Sequence, residues 1–329
     1  MKDVGLVGLP YSGRSTLFTA LTRTGATGGR ANQAVVPVPD PRLAVLAGLE
    51  RSRKVVAAQV RFVDVPGGTS AQALAALRQP DALCVVVRAF GASEQDPARD
   101  LAEVTAELIL ADLAVVESAL ENARRRMKGR ASREGSDEVM ILERALRALS
   151  EERLLRDEAL DAAELRLLRG LAPLTLKPWI VVANLGEGSA IPEGLPAETV
   201  GVSAELEAET AGMPQDEARA LLAEFGIDEP GLDAVISACY RALDLVTFLT
   251  TGEDETRAWE VRRGATAPEA AGAIHSDLQR GFIRAEVIHY DDLVAAGGWD
   301  AAKSKGHLRV EGKDYVVREG DVLHVRFAV

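Results

Sequence analysis

The stretch Val4-Gly5-Leu6-Val7-Gly8-Leu9-Pro10-Tyr11-Ser12-Gly13-Arg14-Ser15-Thr16-Leu17 decides the fold. Val4 to Val7 reads as a short buried strand, Gly8 to Gly13 as a glycine turn, and Ser15 to Leu21 as a helix. The glycines, followed by Arg14, Ser15 and Thr16, have the spacing of a phosphate-binding loop, with arginine where lysine is usual. Glycines there let backbone N–H groups turn inward around phosphate oxygens, and the helix that follows adds its positive end. The residues of such a cradle are Gly8, Pro10, Tyr11, Ser12, Gly13, Arg14, Ser15 and Thr16, with the Ser15 hydroxyl available to Mg²⁺.

Further strands lie outward from this segment. Gln59 to Val63 ends at Asp64 and opens Asp64-Val65-Pro66-Gly67, where a carboxylate could hold Mg²⁺ through water and the Gly67 amide could meet a γ-phosphate. Ala82 to Val87, Trp179 to Ala183 and Glu198 to Val202 complete a set of continuous β-branched runs separated by helical segments. That pattern predicts a parallel sheet covered on both faces. Asn184-Leu185-Gly186-Glu187 and Ser203-Ala204-Glu205 each follow one of these strands, at the positions where P-loop GTPases read the base. Any one of these segments alone reads as a surface turn. Four in the right order, each at a strand's C-terminal end, read as one site, because ligands of open α/β sheets bind at those ends.

Residues 95–170 interrupt the sheet. Leu101, Val104, Leu108, Ala111 and Val115 recur at helical steps, as do Leu142, Leu146 and Leu149, predicting two long antiparallel helices with a turn near 129–136. Arg124, Arg125, Arg126, Lys128, Arg130 and Arg133 cluster at that turn with no acid between them. They read either as a solvated turn or as a tip that reaches RNA phosphates. From 246 to 329 the pattern changes to short strands (247–251, 285–289, 307–310, 315–317 and 322–327) around one helix, 268–279. The organisation expected is therefore 1–94 with 171–245 as a nucleotide-binding domain, 95–170 as a helical insertion and 246–329 as a small mixed-sheet domain.

Composition restricts the classes. The chain has 329 residues, 47% hydrophobic, and a net charge of −12, which argues against coating of DNA or RNA by the whole surface. No apolar stretch approaches the roughly 20 residues of a membrane span. Cys84 and Cys239 cannot make a disulfide framework, and Cys84 lies inside an apolar run as a small buried hydrophobe. A cytoplasmic protein with no membrane partner is expected.

The sequence resembles a divergent member of the YchF-type Obg-like ATPases, a branch of the P-loop GTPases. The likeness is carried by Gly8-Leu9-Pro10 with Gly13 and Ser15 to Phe18, by Val35 to Leu43, and by Glu107 to Leu113. Asn184-Leu185 with Glu187, Arg257 to Trp259, Gly264 to Pro268, Gly281 to Val287 and Glu311 to Tyr315 extend it over nearly the whole chain. The resemblance implies a G domain, a coiled-coil insertion and a C-terminal TGS domain of β-grasp type. It also implies association with the ribosome or ribosomal RNA, and ATP accepted at least as well as GTP. Glu187 agrees with this: one methylene longer than the usual aspartate, it is displaced from the geometry that takes two hydrogen bonds from guanine.

Three positions depart from the family. Arg14 replaces a compact lysine charge with a bulkier planar fork. Gly28 falls where the family has a threonine that closes on Mg²⁺, with Thr27 one residue away, so the stretch Thr24 to Asn32 is expected to be mobile. The loop Gly68-Thr69-Ser70-Ala71-Gln72 is short and lacks the family's proposed catalytic histidine; His275, His289, His307 and His324 all lie in the last region. Phosphoryl transfer depends on positioning and charge neutralisation. The expectation is a purine-nucleotide-binding switch with slow hydrolysis, the alternative an adaptor that keeps ribosome or RNA docking without sensing nucleotide.

Overall fold

The computed structural model describes residues 1–22, 32–91, 95–129, 133–210, 213, 215–227 and 230–328. Along the chain run β1 (Lys2–Val7), α1 (Arg14–Thr22), β2 (Asn32–Pro37), α2 (Pro41–Glu50), β3 (Val55–Val56), β4 (Gln59–Asp64), α3 (Ala71–Ala76) and β5 (Ala82–Ala89). Next come α4 (Pro97–Gly129), α5 (Arg133–Ser150), α6 (Ala162–Arg169), β6 (Trp179–Leu185), β7 (Val200–Val202), α7 (Ala204–Glu209), α8 (Gln215–Glu224) and α9 (Gly231–Ala242). The last stretch holds β8 (Leu245–Thr250), β9 (Thr256–Arg262), α10 (Ala267–Ile274), α11 (Ser276–Arg280), β10 (Phe282–His289), α12 (Tyr290–Ala296), α13 (Trp299–Ser304), β11 (Arg309–Glu311) and β12 (Asp321–Phe327). The contacts divide these into two compact units, residues 2–35 with 61–242, and residue 1 with 36–60 and 243–329.

The first unit is built on a sheet of order β2-β4-β1-β5-β6-β7. The pairs β1–β5, β5–β6 and β6–β7 are parallel, as continuous apolar strands require when both faces are covered. Val4, Leu6 and Val7 of β1 and Leu83 to Val87 of β5 are buried, including Cys84. Both cysteines are free and buried.

The inserted pair is α4 and α5. Val104 and Leu108 pack into the sheet's core with Val7, Leu83 and Leu174, and Leu101 and Ala111 flank them. Farther along α4 the partner changes from the sheet to α5, and Val116, Leu120 and Ala123 pack with Leu142, Ala145 and Leu149. The expected stripe placed Val115 inside. The structure buries Val116 and leaves Val115 half-covered, because a change of partner rotates the buried face by one residue. The same stripe contains a residue that hydrophobic periodicity passes over: Asp112, wholly buried.

The second unit is a mixed sheet of order β11-β10-β12-β8-β9-β3. β10 is antiparallel to β11 and β12, β8 is antiparallel to β9, and β8 is parallel to β12. α10 sits against it through Ala267, Ala270 and Ala271, which share a core with Phe248, Val287 and Leu323. This is the β-grasp arrangement expected of the C-terminal region.

Three details differ from expectation. The helix foreseen at 268–279 breaks at His275, whose extended backbone (φ −162°, ψ 142°) ends α10, while its Nδ1 accepts the Asp277 N–H that opens α11. The strand foreseen at 315–317 is a single bridge, Val316 to Thr266. Residues 36–60, expected with the nucleotide-binding domain, group with the C-terminal unit. There β3 pairs with β9, Ser52 Oγ donates to the Gly252 carbonyl at 2.6 Å, and Glu50 Oε1 accepts the Trp299 N–H at 3.1 Å. No helix among the described residues is long and apolar enough to cross a membrane.

Candidate nucleotide site

β1 delivers the chain into the glycine turn and α1 carries it away. The Ser12 N–H closes the turn on the Leu9 carbonyl at 3.2 Å, and the Leu17 N–H donates to the Gly13 carbonyl at 2.8 Å as the helix begins. Gly13 has φ +80°, and a Cβ there would stand 2.0 Å from Asn184 Nδ2. A Cβ on Gly8 would stand 2.5 Å from the Val86 carbonyl. Both positions therefore demand glycine, one for backbone angle and space, the other for space alone. Tyr11 crowns the turn at φ 67°, with 86% of its surface exposed, beside exposed Pro10. Ser12 is buried beneath, and its Oγ has no hydrogen-bond partner among the described residues. Thr16 faces solvent on α1.

Asp64, buried at the end of β4, faces the start of α1. Its Oδ2 accepts the Ser15 hydroxyl at 2.9 Å, and its Oδ1 lies 2.8 Å from Arg14 Nε. That second contact is an ion pair whose angle is not that of a hydrogen bond, so Arg14 Nε and Nη1 and Asp64 Oδ1 are buried with no hydrogen-bond partner among the described residues. Gly67 and Gly68 follow with φ +100° and +60°, and a Cβ on Gly68 would lie 3.6 Å from the Gly8 carbonyl. The turn after β4 thus lies against the phosphate loop. Ser15 and Asp64 are the hard oxygen donors Mg²⁺ prefers. The fit fails at Arg14, because a guanidinium already stands at the carboxylate oxygen that would anchor the ion's shell.

At the far end of the sheet Asn184 joins the loops. Its Nδ2 donates to the Ser12 carbonyl and its Oδ1 accepts the Ala204 N–H, both at 3.1 Å. One side chain therefore ties the phosphate loop to the Ser203-Ala204 turn. Ser203 Oγ points at the Leu185 carbonyl at 3.4 Å. A cavity of about 380 Å³ opens here, lined by Leu185, Gly186, Ser189, Val202, Ser203 and Glu207 among others. Glu187 and Glu205 are exposed and do not line it. The carboxylate on the cavity wall is instead Glu207, whose two oxygens accept the Gly231 and Leu232 N–H groups at 2.9 and 3.0 Å, capping α9. Burial holds the Glu207 carboxyl above the usual range against those hydrogen bonds. Phe90, at the end of β5, lies against both the phosphate and base loops: its ring is 3.4 Å from a Cβ built on Gly13 and its Cβ 3.7 Å from one on Gly186.

Sequence reading gathered Gly8 to Ser15, Asp64, Gly67, Asn184 and Ser203, and the fold brings them together. It missed Phe90 and Glu207; an aromatic just after a buried strand was the available signal for the first, and nothing local marked the second. Gln72 is exposed on α3, and the four histidines belong to the other unit. Residues 24–31, with Thr27 and Gly28, lie outside the described residues, as does Arg130. At the helical tip, Arg124 and Arg126 pair with Glu143 and Glu138 of α5 at 2.6 and 2.7 Å. The acids absent between the arginines in sequence are thus supplied across the pair. Arg125 donates to Asn122 at 2.6 Å and has no acid in ion-pair range among the described residues. The side chains of Lys128 and Arg133 lie outside the described residues.

A parallel sheet whose first strand feeds a glycine turn and helix, with an inserted helical pair and a β-grasp unit, defines a P-loop NTPase fold of the Obg-like type. The comparisons specify it further. A family model named for the YchF GTPase C-terminus, described as "Protein of unknown function (DUF933)", matches residues 245–328. The "Ribosome-binding ATPase YchF" of Haemophilus ducreyi is 41% identical over 359 aligned residues, covering 99% of each chain. That of Bacillus subtilis is 39% identical and that of Escherichia coli O157:H7 is 37% identical, each again covering 99% of both chains. The solved structure of the Schizosaccharomyces pombe YchF GTPase superposes with a TM-score of 0.86 at 29% identity, covering 99% of this chain and 97% of that one. The chain belongs to the YchF family.

Proposed function

We propose that this chain binds a purine nucleoside triphosphate, ATP at least as well as GTP, and acts as a ribosome-associated switch with slow hydrolysis. The observation that carries the reading is the Asn184 side chain, which holds the phosphate loop and the Ser203-Ala204 turn in one frame. The glycine turn can offer main-chain amides to phosphates, and the Phe90 ring, with the Arg88 guanidinium 4.9 Å from its centroid, lies beside both loops where a base would lie. The relatives' names, ribosome-binding ATPases, support the same reading. The domain division that goes with it is a nucleotide-binding domain from 2–35, 61–94 and 171–242, the helical insertion at 95–170, and a TGS domain.

Glu187 is exposed and does not line the cavity, which supports a site that accepts adenine without demanding guanine. Competition titrations are expected to give ATP an affinity equal to or above that of GTP; a tenfold GTP preference would overturn this. Slow hydrolysis is supported by Gln72 facing solvent on α3 and by the absence of any histidine from the unit that carries the phosphate loop.

Docking on RNA falls to the helical tip. Arg124 and Arg126 already spend charge on α5, so Arg125 is the described cation free to meet a phosphate. Reversing Arg125, Lys128, Arg130 and Arg133 to glutamate is expected to abolish co-sedimentation with ribosomes. Removing one of them should lower the salt slope by about one unit. Unchanged co-sedimentation would make the tip a solvated turn.

A further inference from the structure

In P-loop sites the charge beside the strand-end aspartate is ordinarily a divalent ion. Here the aspartate meets a different cation. Arg14 Nε stands 2.8 Å from Asp64 Oδ1, and the side chains are 12% and 4% exposed. Asp64 Oδ2 is occupied as well, by the Ser15 hydroxyl at 2.9 Å. A buried carboxylate with one oxygen on a guanidinium and the other on a hydroxyl already has its charge balanced. Arg14 Nη1, buried and without a hydrogen-bond partner among the described residues, remains as an available donor at the start of α1. Buried donors cost free energy unless a partner arrives, and phosphate oxygens suit a guanidinium fork.

Resting on the nucleotide reading above, we propose that the Arg14 guanidinium, held at Asp64, takes the place of the divalent cation, so that this chain binds a nucleoside triphosphate without Mg²⁺. Lysine, a compact point charge on a flexible stem, does not present this planar fork. The substitution that weakens the phosphate loop as an ordinary lysine site is then what relieves it of its metal.

Two predictions separate this from metal binding at Ser15 and Asp64. ATP affinity of the full chain should be the same within twofold in EDTA and in millimolar Mg²⁺. Arg14→Lys should restore a Mg²⁺ requirement, read as at least tenfold tighter ATP binding with the ion than without. Tightening of tenfold or more by Mg²⁺ in the wild-type chain would overturn the proposal alone and leave the nucleotide reading standing. No ATP uptake by the wild-type chain in either condition would bring down both. Because the wild-type titrations decide the matter, a variant that fails to fold does not obscure it.

Discussion

Asp112→Ala is expected to lower the free energy of unfolding by about 3–5 kcal/mol, the cost of breaking a buried ion pair and orphaning its partners. Asp112 is fully buried. Its Oδ1 takes Arg78 Nη1 at 2.7 Å and the Leu174 N–H at 3.0 Å. Its Oδ2 takes the Thr175 N–H and hydroxyl, both at 2.7 Å. Arg78 extends the network to the Ala111 and Ala172 carbonyls at 2.9 and 3.1 Å. Four protein donors therefore converge on one carboxylate that fixes α4 to the segment leading into β6. Truncation leaves a guanidinium, two amides and a hydroxyl without their acceptor around a fully buried position. Urea denaturation monitored by circular dichroism measures the change as a fall in midpoint. Arg78→Ala in the same background should add little, since the two residues act as one unit. A midpoint within the error of wild type would mean that the network contributes nothing.

Gly13→Ala is expected to abolish nucleotide binding, a loss of at least a hundredfold in affinity. The added methyl falls 2.0 Å from Asn184 Nδ2 at a backbone φ of +80°, so both sterics and backbone oppose it. The left-handed backbone alone costs a non-glycine residue of order 1–3 kcal/mol. Displacing Asn184 also breaks its two bonds, to the Ser12 carbonyl and the Ala204 N–H. Each is worth about 1 kcal/mol, more if the buried partner is left unpaired. The phosphate loop then loses both its curvature and its tie to the base end of the site. Calorimetric titration with ATP, beside a thermal melt to establish that the variant is folded, reads the effect. Wild-type affinity in a folded Gly13→Ala chain would show that the phosphates bind elsewhere.

Much of this was legible in the residues. Continuous β-branched strands foretold the parallel sheet, and glycine spacing foretold the tight turn between β1 and α1, because each depends on short-range sterics and period. The start of α2 carried a plain signal, Asp40 as N-cap with Pro41 in the first turn, and was passed over inside a longer run read for its resemblance. What the sequence hid depends on partners far away in the chain. Asp112 reads as a polar interruption of an apolar stripe until Arg78 and Thr175, tens of residues off, close on it. Glu207 reads as one of several acids near the base loop until the N-terminus of α9 folds onto it. The arginine-rich tip reads as unpaired until α5 returns with Glu138 and Glu143. Arg14 reads in sequence as a bulkier replacement for lysine; its pairing with Asp64 is a property of the folded site alone.

The central claim is that the turn between β1 and α1 grips a triphosphate through its main-chain amides. Photo-crosslinking of an azido-ATP to the full chain, followed by peptide mapping, tests it most directly. One labelled site is expected, with adducts on the segments around Phe90 or Leu185 to Ala190, competed away by unlabelled ATP and missing in Gly13→Ala. Labelling confined to the C-terminal unit, or no competable labelling at all, would contradict it.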